Sequence, residues 1–203
     1  MKSSTAPKDP ATDGRHARSE RTRAAVAAAM LDCIIAGSPR PTAEEIAERA
    51  GVSSRAVFRH FDNLEALLEE VARHQSERVS SGLPPLVTKG PLEQRIDALV
   101  ANSACRNEAI APVRRAVLAS ASSSRMFRER HAWLRGVVRK QVRQVFADEL
   151  ARLPEGRRTD RIAALRSLLS VSYWNVLREH EGLSKDAAAR TLRDALSALL
   201  VKD

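Results

Sequence analysis

Residues 42–68 read TAEEIAERAGVSSRAVFRHFDNLEALL, and Arg55, Arg59 and His60 fall within one short run of them. A guanidinium presents paired N–H donors that match O6 and N7 of guanine, or two oxygens of a phosphate. Ser54, Arg55, Ala56, Arg59 and His60 share the side of that run left over once its apolar residues are turned inward. None of them is acidic, so an anion can approach that side.

Positioning such a row requires short helices at a steep angle. Thr42 and Glu45 have the S/T-x-x-E spacing of a capping box, which opens a helix running to about Ala50. Gly51 permits a turn that a Cβ would hinder. Ser53 caps the next helix, and Asp62 with Glu65 repeats the cap spacing before a fourth. Ile46 and Ala47 face inward from one helix, and Val52, Val57 and Phe61 from the other. This is the residue logic of a helix-turn-helix, whose second helix is free to enter a major groove. Arg21 and Arg23, with Arg15 and Arg18, are placed to reach flanking phosphates, and the helix N-termini at Thr42 and Ser53 offer N–H groups to phosphate oxygens.

Composition sets the frame. The 203 residues are rich in Ala, Arg and Leu, with few Gly and Pro and no convincing alternating strand, so the chain is expected to be all-α. Net charge is +9, yet residues 1–80 hold 12 basic and 12 acidic side chains. The surplus lies in residues 106–143, with 10 basic and 2 acidic. High overall charge therefore does not locate the reading surface, and the argument rests on the local row. Cys33 and Cys105 are isolated, as expected of reduced structural thiols. No apolar run is long enough to span a membrane, and the first 20 residues lack a signal-peptide core, so a cytoplasmic location is expected. The five histidines are scattered. There is no HExxH, phosphate-binding glycine loop or nucleophile elbow, so no catalytic residues, metal or cofactor are expected.

Residues 1–17 are polar and are expected to form a disordered tail. A DNA-binding domain of three helices with a connecting fourth is expected over 18–80. SGLPPLVTKGP at 81–91 separates it from a helical domain over 81–203. In that domain helices are predicted near 91–107, 111–120, 123–151, 158–181 and 184–201, about nine in the chain. Leu165, Leu169, Ser172 and Val176 line one stripe, and Leu192, Leu196 and Leu199 another. Such stripes pack internally or pair two chains as a four-helix bundle. Met126, Trp133, Tyr173 and Trp174 are the large or adaptable side chains available to line a ligand pocket. The basic surplus invites an anionic ligand.

T-x-x-x-IA-x-x-AGVS followed by VFRHF and L-x-x-LL resembles the signature of the TetR family of bacterial transcriptional regulators. The stretch from Trp174 to Leu200 is similar in outline to the last two helices of many members. The resemblance implies an all-α homodimer with an N-terminal DNA-binding domain and a larger ligand and dimerisation domain, usually a repressor. It tips the two stripes toward dimerisation, and with it a near-palindromic operator. Carried across, Thr42 matches the cap that touches a phosphate. Ser54, Arg55 and Ala56 match the early positions that approach bases, and Phe58, Arg59 and His60 the later contacts. Phe58 stands where the family usually has Tyr, Leu64 where Lys is frequent, and Arg55 where Gly is common. Reliance shifts to Arg55, Arg59 and the N-terminal arginines. The competing reading is a helical protein-interaction module that never touches DNA.

Overall fold

The computed structural model describes residues 10–119 and 125–201. Among them the chain is helical with no strand: α1 Pro10–Ile35, α2 Ala43–Ala50, α3 Ser54–His60, α4 Leu64–Gly82, α5 Leu92–Ala119, α6 Arg125–Val145, α7 Ala147–Ala151, α8 Glu155–Leu168, α9 Val171–Asn175, a π-helical turn Val176–His180, and α10 Lys185–Val201. The all-α expectation holds, with ten α-helices in place of about nine.

Two compact units form, Met1–Gln75 with Arg115–Ser122, and Ser76–Arg114 with Ser123–Asp203. The first change of unit falls inside α4 and not in the 81–91 segment, and a piece of α5 joins the first unit. In the first unit α1 packs on α2 and α3. Val26, Met30 and Leu31 from α1, Ile46 and Ala47 from α2, and Val57 from α3 are all under 5% exposed. α1 begins at Pro10, inside the stretch expected to be tail. Pro is well suited to a first helical turn, and the charged residues that follow tolerate full exposure on a helix.

In the second unit α6, α8 and α10 enclose a core of Leu99, Val142, Phe146, Leu165, Leu169, Trp174, Leu192 and Leu196. Leu165, Leu169, Leu192 and Leu196, expected at a dimer interface, are fully buried within their own unit. A 3.6-residue period marks a buried stripe, and it does not say whose side chains bury it. Ser172 is exposed, Val176 is 38% exposed, and Leu199 is partly buried.

Helix boundaries also moved. α5 runs unbroken across 108–110, where a break was expected, and carries Pro112 in its interior. The predicted helix over 123–151 divides at Phe146, and that over 158–181 divides at Leu169 and Ser170. Ser170 Oγ accepts the Tyr173 N–H at 3.2 Å and opens α9 as its cap. The α4 cap is Asn63 and not Asp62: its Oδ1 accepts the Ala66 N–H at 2.8 Å.

Arg95 fastens α5 to the end of α6 and to α7. Its guanidinium donates to Glu149 Oε1 at 2.5 Å and Oε2 at 2.9 Å, and to the Val145 carbonyl at 2.6 Å. The Arg95 hydrogen bond holds the Glu149 carboxyl below its ordinary value of 4.5, against the opposing effect of burial. A depressed carboxyl pKa stabilises the fold above the ordinary value, and that contribution fades as pH falls through the depressed one. Glu149→Gln is expected to lower unfolding free energy at neutral pH by about 1.5–3 kcal/mol. In urea melts, acidification from roughly pH 5 to pH 3 should narrow the gap between parent and variant; a constant gap would contradict the assignment.

Candidate nucleic-acid interface

The turn between α2 and α3 is built from three local devices. Thr42 and Glu45 close the capping box reciprocally: Glu45 Oε2 accepts the Thr42 N–H at 2.7 Å, and Thr42 Oγ1 accepts the Glu45 N–H at 3.2 Å. Gly51 ends α2 in the left-handed region at φ 66°, and the Val52 N–H returns to the Ala47 carbonyl at 3.0 Å. Ser53 Oγ then accepts the Ala56 N–H at 3.3 Å to open α3. The box modifies one expectation. The Thr42 and Glu45 N–H groups are already engaged, and Glu44 and Glu45 occupy the first turn of α2, so that terminus is poorly suited to a phosphate. The first turn of α3 carries no acid.

Val57 and the following Phe61 are 4% and 5% exposed and hold α3 against its neighbours. Arg55, Phe58 and Arg59 follow i, i+3, i+4 spacing, which puts them on one face. All three are exposed, Phe58 by 70%. Ser54 and Ala56 are half-buried beside them, while Thr42 and Ser53 are exposed at the helix starts. His60 departs from the expected row: it is half-buried, and its Nε2 is enclosed without a hydrogen-bond partner among the described residues.

Arg23, expected at a phosphate, is occupied within the unit. Its Nη1 donates to the His60 carbonyl at 3.0 Å, and its Cζ lies 4.5 Å from the centroid of the Phe61 ring. A cation at a helix C-terminus opposes the negative end of the dipole, and the ring face adds cation–π attraction. Arg23 thus fixes the end of α3 and the direction of its outer face. It also helps hold the Glu70 carboxyl below its ordinary value, a shift dominated by the Arg73 hydrogen bond. Arg21 is exposed, with Nε donating to the Ala17 carbonyl at 3.3 Å along its own helix. Sequence reasoning missed the Arg23 brace, because it joins residues 37 apart and no local spacing announces it.

The aromatic residues expected around a ligand divide three ways. Trp174 is 1% exposed and belongs to the core, its indole Nε1 donating to Glu108 Oε1 at 2.9 Å. Tyr173 is half-buried against that core. Trp133 is 62% exposed on α6 and does not line an enclosed pocket. The Met126 side chain lies outside the described residues.

A Cβ at Gly51 would meet nothing within 4 Å, so its constraint is the backbone conformation alone. Gly51→Ala is expected to destabilise the chain by about 1–2 kcal/mol in urea melts. Gly51→Asn should lose less, since Asn tolerates the left-handed region; equal losses would point to a steric cause instead.

Residues 34–71 match the family model described as bacterial regulatory proteins, tetR family. No curated protein matches the chain. Among solved structures it is similar to the crystal structure of a transcriptional regulator from Rhodococcus sp. Rha1, at 19% sequence identity and a TM-score of 0.63. That similarity covers 90% of this chain and 96% of the other. At such identity the likeness concerns the fold. The matched segment, which includes the capped helices joined at Gly51, is thus similar to the tetR family of bacterial regulatory proteins.

Proposed function

We propose that the protein is a DNA-binding transcriptional regulator, a ligand-responsive repressor that binds a near-palindromic operator as a homodimer. The outward face of α3 carries this reading: Arg55, Phe58 and Arg59 are exposed together, with no acid beside them. Arg55 reads a guanine through paired N–H donors, Arg59 contacts phosphate, and the Phe58 ring offers an apolar surface to a thymine methyl. Ser53, Ser54 and Ala56 allow the backbone of α3 to come close to the groove. Arg21 extends the contact along the flanking phosphates, and Arg23 serves by holding α3. Two chains related by a two-fold axis set their α3 helices about 34–36 Å apart, one turn of duplex. Ser172, Val176 and Leu199 remain available on the second unit for a partner chain. An effector shifts the population only by binding the state with badly spaced helices more tightly. The protein works in the cytoplasm, where its operator is.

A shift assay with the DNA upstream of its own gene, at two salt concentrations, tests the reading. Affinity is expected to fall steeply with salt, because neutralised phosphates release counterions. Salt-independent or absent binding would favour a protein-interaction module. Arg59→Ala should weaken all sequences alike and flatten the salt dependence by about one phosphate's worth. Arg55→Ala should relax preference at one base pair by about 1–3 kcal/mol. An unchanged preference in Arg55→Ala would remove its base-reading role.

A further inference from the structure

One side of α6 joins an exposed indole to a row of cations. At about 100° per residue, Ala132, Trp133, Gly136, Lys140 and Arg143 fall on that side, with Arg139 at its edge. All six are exposed, Trp133 by 62%. The opposite side, with Val138, Val142 and Val145, is buried in the core of the second unit. No described residue pairs with Arg139, Lys140 or Arg143. The helix dipole favours a cation in the last turn, and of the three only Arg143 lies there. The one acid on α6, Glu129, is held by Arg125 at 2.6 Å.

Gly136 adds an independent observation. It sits in the middle of α6, where glycine weakens a helix relative to alanine. Its φ is negative, and a Cβ there would meet nothing within 4 Å. Neither the backbone conformation nor packing within the chain therefore calls for glycine. With Ala132 one turn earlier, it leaves bare backbone beside the Trp133 ring, where another helix can come close. An indole and guanidinium groups around a point of close approach are the materials of a protein–protein hot spot.

We propose that this face of α6 docks an acidic amphipathic helix of a partner protein. The apolar residues of that helix pack on Trp133 and across Ala132 and Gly136, and its carboxylates meet Arg139, Lys140 and Arg143. A DNA duplex keeps its bases stacked and offers phosphates to the cations, which leaves the indole unused. A single strand stacks on aromatic rings in series, and the described side chains of α6 expose one ring. A membrane would need the apolar side of α6, which is buried within the unit. A second copy meeting through the same face would set these cations against one another. The contact is separate from α3 and does not depend on the reading of that helix.

The test uses the full chain and a synthetic helical peptide of about four turns, with leucines at i, i+3, i+4 and i+7 and glutamates flanking them. Trp133 emission is expected to shift to the blue saturably, with Trp133→Ala giving the background from Trp174. In calorimetry, Trp133→Ala should weaken the peptide by about tenfold or more. Gly136→Leu places a better helix former in open space, so its urea midpoint should not fall while peptide binding is lost. Reversing the three cations together, Arg139→Glu, Lys140→Glu and Arg143→Glu, should abolish binding, and a peptide with lysines for its glutamates should restore it. Absence of saturable peptide binding, or binding unaltered by Gly136→Leu, would overturn the proposal. Trp133-dependent binding of phosphatidylglycerol vesicles or of oligothymidine in place of the peptide would overturn it as well.

Discussion

Gly51, at φ 66°, reverses the chain between α2 and α3 within a few residues, and the other features of the first unit follow from that reversal. Because the turn is short, Val57 and Phe61 reach the core while the opposite side of a seven-residue helix stays in solvent. A helix that short has little stability of its own, so its orientation must come from tertiary attachments. Arg23 supplies one by joining the His60 carbonyl and the Phe61 ring. The positive residues of this unit therefore divide their work. Arg23 faces inward and fixes direction, and Arg55 and Arg59 face outward where that direction is useful.

Arg95 and Arg106 show two ways of burying the same group. Arg95 has a carboxylate from α7 and the carbonyl end of α6, and it ties three elements together. Arg106 has only hydroxyl, amide and carbonyl oxygens, one of them the Leu169 carbonyl that follows α8. The negative end of a helix dipole is worth a fraction of a full charge. Among the described residues no carboxylate balances the Arg106 charge, although its geometry is largely satisfied.

How much was legible depended on the range of the interaction. The capping box at Thr42 and Glu45, the glycine turn and the inward Val57 and Phe61 are written in spacings of a few residues, and they appear as expected. Contacts across dozens of residues, such as Arg23 with His60 or Arg95 with Glu149, left no local trace. The stripe through Leu165, Leu169, Ser172 and Val176 was read as one face. The chain breaks at Leu169 and Ser170, restarts on a serine cap, and then widens into a π turn, so the last two residues rotate out of phase with the first two. The break expected between 107 and 111 erred in the opposite direction, because α5 continues and absorbs the missing N–H of Pro112 without ending.

Phe58 gives the outer face of α3 a thermodynamic character unlike that of its arginines. An aromatic ring left 70% uncovered orders water around itself, while charge contacts mainly exchange ions. Any surface laid against α3 displaces both shells. Complex formation there therefore couples a negative heat-capacity change to counterion release, and its enthalpy drifts with temperature as the ring is dehydrated.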